Sequence, residues 1–279
     1  MTGQVYDPVP AQPPPAKRRI ALNGERVAGY VITAFMAVLG FGIVWFLYDS
    51  WDFEFIEKYG PKYLSGLWVT IQLVSISIVL GAILSLPIAM GRMSANPLIR
   101  PVAFSYVYFF RGTPLLAQIF LVYYGAGVFV EELRDIELWA FFRDPWNCAV
   151  FTFALNTAAY QAEILRGAVQ SVTKGQWEAA EALGLKRLQT FRKVILPQAL
   201  IVALRPYGNE IILMIKGSAI VAIITVLDLM GETRRAFSRS YDFQTYIWAA
   251  IFYLIIVEML RNGWDRLEAR LTRHLKRED

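Results

Sequence analysis

Apolar residues along this chain fall in long unbroken runs, not in the short stripes of a soluble helix or the alternation of a surface strand. About 20 apolar residues, each rising about 1.5 Å, cross a bilayer core, and runs of roughly that order recur six times. They cover 28–48, 67–90, 102–124, 149–168, 199–230 and 246–260. The pattern predicts an all-α, polytopic membrane protein with six transmembrane helices. The third and fourth runs contain charge, whereas the second contains none.

The fifth run is too long for one straight crossing, since about 30 residues overshoot a hydrocarbon core about 30 Å thick. Pro206, Asn209 and Glu210 lie early in it, and Lys216, Gly217 and Ser218 interrupt its middle. Either the backbone is irregular there and lines a wet cavity, or one tilted helix lets its lysine snorkel to the surface.

Between the fourth and fifth runs lies a polar stretch, 172–197, that predicts two short helices. Residues 176–183 are strong helix formers, and Gly184 suits the left-handed position that ends a helix. In the second helix Leu185, Leu188, Phe191 and Val194 share a side, with Lys186, Arg187, Arg192 and Lys193 largely elsewhere. Pro197 then falls where the next span begins, a position that tolerates a missing N–H.

Composition agrees, with 56% hydrophobic and 18% charged residues. The net charge of +5 does not indicate nucleic acid, because the cations sit beside apolar runs and form no stripe with interleaved aromatics. They follow membrane topology instead. With the N-terminus inside, 17 lysines and arginines fall in inner segments and 7 in outer ones, which predicts that both termini are cytoplasmic. Trp45, Trp51, Trp68, Trp146, Trp248 and Trp264 lie near predicted span ends. Residues 1–27 read as a disordered, proline-rich tail ending in basic residues, and 263–279 as a basic tail. The first apolar run begins too late and is too long for a signal peptide. The lone Cys148 packs as a small hydrophobe, and Asp228, near the outer end of its run, is expected to face periplasmic water. His274 lies in the basic tail and suggests no catalytic or metal role. No phosphate loop, zinc spacing, paired carboxylates or nucleophile elbow appears, so neither ATP hydrolysis nor chemistry on a solute is expected of this chain.

Glu178-Ala179-Ala180, followed by Gly184 and then by Leu196-Pro197, resembles in identity and spacing the Glu-Ala-Ala loop of ABC importer permeases. Phe110-Arg111-Gly112-Thr113-Pro114, Leu155-Asn156-Thr157-Ala158-Ala159-Tyr160 and Asn209-Glu210-Ile211-Ile212 are similar to segments of the polar amino acid uptake family, nearest its histidine/lysine/arginine/ornithine and opine permease subunits. The resemblance covers most of 63–256. It implies a five-helix type I importer core over 63–262, to which 28–48 is an added N-terminal span, all in the bacterial inner membrane. It also implies that Glu178, Ala179, Ala180, Gly184 and Leu185 couple to a separate ATPase. The implied assembly has a second, related permease subunit, two ATP-binding subunits holding ATP and magnesium, and a periplasmic amino-acid-binding protein. The segment Lys216-Gly217-Ser218-Ala219 departs from the small polar or histidine-containing pattern of the family, which leaves the solute open.

A zwitterionic, basic solute needs donors for its carboxylate and acceptors for its cationic groups. Glu163 and Glu210 offer negative charge, Arg111 and Lys216 positive charge, and Asn156, Asn209 and Ser218 neutral polar contacts. The competing readings are a structural ion pair between Arg111 and one glutamate, and interhelical hydrogen bonds from Asn156 and Thr157. At the level of function, the alternatives are a secondary transporter or channel, and a membrane anchor for an ATPase.

Overall fold

The structure, a computed structural model, describes residues 24–49 and 51–273, and among these the regular elements are all helical. His274 and most of the predicted N-terminal tail, including Lys17, Arg18 and Arg19, lie outside the described residues. The chain divides into two units, Met1–Trp51 and Asp52–Asp279.

In the first unit the described element is α1 (Gly24–Asp49), an uninterrupted apolar helix of 26 residues. That length rises about 39 Å, enough to cross a bilayer core. Its apolar side chains, Phe35, Val38 and Phe41 among them, are exposed over its length. Lipid, not water, is the solvent such a surface suits.

The second unit is built around two helices that meet through small residues. Asp52 caps α2 (Phe53–Met93) by accepting from the Glu54 N–H at 2.9 Å. One face of α2 buries Gly66, Thr70, Ser77, Gly81, Ser85 and Ala89 at near four-residue spacing. Against it lies α7 (Pro145–Ser171), which buries Ala149, Thr152, Ala154, Thr157, Ala158 and Ala162. Lipid tails are as apolar as leucine, so helices in a membrane gain by close backbone approach, which small residues permit. The approach is tightest at Gly81, where an added Cβ would come within 2.4 Å of Thr157 Cγ2.

The third predicted span is not one helix. It divides into α3 (Ile99–Gly112) and α4 (Leu115–Ala126), with Thr113 extended at φ −110°, ψ 147°. Pro114 pushes the residue before it out of the helical region. Gln118 Nε2 repairs the break by donating to the Phe110 carbonyl (2.9 Å), the Thr113 carbonyl (3.1 Å) and Thr113 Oγ1 (2.8 Å). Two short helices, α5 (Val130–Asp135) and α6 (Trp139–Phe142), lead from α4 into α7.

After α7 come α8 (Lys174–Ala182) and α9 (Arg187–Thr190), and α9 continues through a π-helical turn, Phe191–Ile195, into α10 (Leu196–Ser218). The predicted second loop helix is therefore the root of the fifth span. The expected interruption at 216–218 is also displaced: α10 stays α-helical through Ser218, tightens to a 3₁₀ segment over Ala219–Ile224, and turns at Thr225 with φ 67°. Leu229–Ser240 forms α11, and Gln244–Leu271 forms α12. The last span thus starts earlier than the apolar run suggests and takes 263–271 of the predicted tail into helix.

Three cores hold the unit together, the smallest being Ala168, Ala199 and Ala203 between α7 and α10. Leu73, Val74, Ile119, Phe153, Met214, Val221 and Ile224 pack where α2, α4, α7, α10 and the 3₁₀ segment meet. Phe55, Tyr59, Tyr63, Leu229, Ala236 and Ala249 join the start of α2 to α11 and α12. Asp228 lies at the edge of this last core and corrects the expectation of a water-facing carboxylate. It is fully buried, accepts from the Gly231 N–H at 2.8 Å to cap α11, and receives the Tyr253 hydroxyl at 3.4 Å.

Candidate functional site

The segment 172–197 forms an exposed hairpin whose corner is a Schellman turn. Gly184 adopts φ 73°, its N–H donates to the Glu181 carbonyl (2.9 Å), and the Leu185 N–H donates to the Ala180 carbonyl (3.1 Å). These bonds satisfy carbonyls at the end of α8 and turn the chain sharply into α9. Across the corner the Lys186 N–H donates to Gln189 Oε1 at 3.0 Å, starting α9. Ala180 is buried beneath the turn, Leu185 is half-buried, and Glu178, Ala179 and Gly184 are exposed. Leu183 and Leu188 stand 79% and 67% exposed on either side of the corner. An exposed apolar pair on a rigid hairpin is a knob suited to a groove in another protein.

The polar candidates within the bundle separate into three groups. Asn156 and Ser218 are internally satisfied: Asn156 Nδ2 donates to the Phe110 carbonyl (3.0 Å) and Gln118 Oε1 (2.9 Å), and Ser218 Oγ to the Ile215 carbonyl (2.8 Å). Asn156 thus supports the repair at Pro114. Glu210 is buried and accepts from Thr157 Oγ1 at 2.9 Å, while Thr157 receives Gln161 Nε2 at 3.1 Å. Gln161 also donates to the Ile78 carbonyl at 3.2 Å, which links α2, α7 and α10.

Among the described residues Arg111 makes no ion pair with either glutamate, the arrangement the competing reading called for. Glu163 is engaged by Arg166 and, at 3.4 Å, by Arg92, whereas the Arg111 guanidinium lies 5.2 Å from the Tyr160 ring centre. Asn209 and Lys216 form the third group. They are exposed seven residues apart on α10, on a stripe that also carries Val202, Pro206 and Leu213. A seven-residue interval returns to the same helix face, and neither side chain makes a hydrogen bond or ion pair within the described residues.

Sequence reasoning missed Gln118 and Gln161. Each is an uncharged polar residue in an apolar helix, and only the neighbouring Pro114 hinted that Gln118 would have carbonyls to satisfy. Among the described residues no cluster of histidine, cysteine or carboxylate side chains could hold a metal.

A bundle of apolar helices around buried polar links, with a rigid amphipathic hairpin projecting from it, defines a multi-pass membrane protein built to engage another protein. Residues 77–273 match the family of binding-protein-dependent transport system inner membrane components, and the chain belongs to that family. It is 41% identical over 206 residues to the nopaline transport system permease protein NocM of Agrobacterium fabrum, covering 74% of this chain and 86% of that one. It is 40% identical over 214 residues to the histidine/lysine/arginine/ornithine transport system permease protein HisM of Escherichia coli K12, covering 76% and 90%. A crystal structure of an amino acid ABC transporter with histidines superposes with a TM-score of 0.70 at 35% identity, over 79% of this chain and 99% of that one. The methionine transporter MetNI shares the fold, with a TM-score of 0.61 at 19% identity over 75% and 95%. The chain is thus a permease subunit of an ABC importer and a multi-pass inner membrane protein.

Proposed function

We propose that this permease carries basic amino acids or opines inward, with ATP hydrolysed by a separate subunit that grips the α8–α9 hairpin. The observation that carries the reading is the hairpin itself, an exposed apolar knob fixed by a Schellman turn at Gly184. Glu178, Ala179, Ala180, Gly184 and Leu185 form the coupling surface, and closure of the ATPase is passed through it to α10, with which α9 is continuous. The named solutes of the relatives support the solute class.

The solute path is assigned to the exposed face of α10. An exposed lysine on a membrane helix needs water or a polar partner, and Asn209 and Lys216 stand exposed on that face between apolar residues. Lys216 is the group for the solute carboxylate and Asn209 for its ammonium, with Glu210 behind them as the negative charge that favours cations. Asn156 and Ser218 keep the path in shape. A second permease subunit, two ATP-binding subunits with ATP and magnesium, and a periplasmic binding protein complete the importer, and both termini of this chain are cytoplasmic.

The test is reconstitution of the assembled complex in liposomes. Uptake that needs the binding protein and internal ATP, with ATPase activity stimulated by arginine, histidine, ornithine or an opine, is the expected result. Uptake by the purified chain alone, or uptake that survives ATP depletion, would overturn the proposal.

A further inference from the structure

Arg92, Arg111, Arg166 and Glu163 crowd together where α2, α3 and α7 meet, leaving three guanidinium groups against one carboxylate. Each nitrogen of Arg166 makes a hydrogen bond, to Glu163 or to Gln170. Arg92 touches Glu163 through one nitrogen at 3.4 Å and lies 4.9 Å from the Phe104 ring centre, while Arg111 stacks on the Tyr160 ring, feels the more distant charge of Glu210, and makes no hydrogen bond or ion pair among the described residues. Two arginines therefore keep donors to spare.

Both line one cavity of about 270 Å³, whose other walls are Phe104, Val107, Tyr108, Gly112 and Glu163. Arg111 and Glu163 also line a second cavity of about 290 Å³ between α7 and α10. The excess of cations repels a basic side chain and attracts an anion. The walls narrow the choice, because Phe104 and Tyr108 are exposed apolar residues of a membrane helix, a surface that acyl chains cover. Arg92 is in the last turn of α2, the end that the distribution of lysine and arginine assigns to the cytoplasm. The inner leaflet is the anionic one, and basic pockets between helices at that level hold lipid headgroups.

We infer that Arg92 and Arg111 bind the phosphate of an anionic phospholipid of the inner leaflet, with the acyl chains lying along Phe104 and Tyr108 of α3. The placement in that leaflet rests on the cytoplasmic orientation proposed above; the phosphate chemistry does not. Bidentate guanidinium groups suit a phosphodiester, and the loose Arg92–Glu163 contact can yield one without losing the ion pair to Arg166.

The experiment is native mass spectrometry of the assembled permease–ATPase complex after exchange into mixed phosphatidylcholine and phosphatidylglycerol. Preferential retention of phosphatidylglycerol is expected, falling by about fivefold for each of Arg92→Gln and Arg111→Gln and by less in Arg111→Lys, which keeps the charge but loses the bidentate fork. Equal retention of both lipids, or unchanged selectivity in the two glutamine variants, would overturn the inference, as would displacement by millimolar inorganic phosphate, which would identify a free anion as the ligand. Because retention is read from mass, a complex that transports but holds no lipid refutes this site alone, and one that holds lipid but fails to transport refutes the transport proposal alone. A variant that destabilises the bundle away from the site serves as the control for misfolding: Gly81→Ala should leave the lipid ratio unchanged.

Discussion

At the scale of single residues, Gly184 bears the most directly testable consequence. Its φ of 73° is open to glycine but strained for an L-residue, and no atom lies within 4 Å of where a Cβ would stand, so substitution costs backbone energy only. A left-handed conformation at a non-glycine residue costs about 1–2 kcal/mol, and asparagine tolerates it better than alanine. Gly184→Ala should therefore weaken association with the ATPase by roughly fivefold or more, and Gly184→Asn by less, with membrane insertion unchanged in both. Titration of the purified ATPase onto the permease in nanodiscs measures this order, and equal affinities would show that the corner is not part of the contact. Lys216 gives the second residue-scale prediction. It is exposed on α10 without a partner in the described residues, so Lys216→Gln removes a charge without stranding another inside the chain. The bundle should keep its thermal stability to within about 0.5 kcal/mol, while KM for uptake rises because the solute carboxylate loses its cation. A fall in stability with KM unchanged would place Lys216 in the structure and not in the path.

At the scale of elements, the contact between α2 and α7 holds the unit together, and its weak point under substitution is Gly81. An alanine there would press on Thr157 Cγ2 at 2.4 Å, on Gln161 Nε2 at 3.0 Å and on the Ala158 backbone nitrogen at 3.2 Å; the glutamine end can shift, but the threonine methyl and the backbone cannot. Overpacking of this kind costs about 1–3 kcal/mol, so Gly81→Ala should lower the thermal midpoint of the complex in detergent by several degrees. Thr157→Ser in the same chain removes the clashing methyl and should recover part of the loss; no recovery would mean that the backbone contact dominates. The same contact explains which elements the sequence revealed. The lipid-facing runs at 28–48 and 67–90 were legible because hydropathy reports exposure to lipid, and α1 and much of α2 are exposed. The helix α7 reads weakly, with Asn156, Gln161, Glu163 and Arg166 in it, because it packs against α2, α3, α4 and α10 and its composition answers to protein neighbours. The break at Pro114 was hidden by averaging over a long apolar window, although the local signal, a proline after threonine, stood in the sequence. The corner at Gly184 was legible because a glycine after a run of helix formers has few other uses. The buried links through Gln118, Thr157 and Gln161 were not, since an uncharged polar residue shows its role only once packing has placed a carbonyl or carboxylate beside it.

At the scale of the whole molecule, the proposals on coupling and on lipid share one geometric requirement: the α8–α9 hairpin and the Arg92 end of α2 must lie on the cytoplasmic side. The asymmetry of basic residues argues for it, with Arg92 in the last turn of α2, Arg100 in the first turn of α3, and Lys174, Lys186, Arg187, Arg192 and Lys193 in the hairpin. The segment joining α4 to α7 then lies outside, and its charge is of the other kind, with Glu131, Glu132, Asp135 and Glu137 beside Arg134. The chain makes this arrangement easy to interrogate because its single cysteine, Cys148, is buried and donates its thiol to the Phe142 carbonyl at 3.1 Å. In a Cys148→Ser background, Lys186→Cys should react with a membrane-impermeant maleimide only after spheroplasts are opened, whereas Glu132→Cys should react in intact ones. Bound ATPase should also shield Lys186→Cys and leave Glu132→Cys unaffected, since only the hairpin is covered by the motor. Reaction of Lys186→Cys from outside would reverse the whole molecule. It would remove at one stroke the docking of an ATPase to the hairpin and the placement of Arg92 and Arg111 in the anionic leaflet, because both follow from the same face of the same bundle.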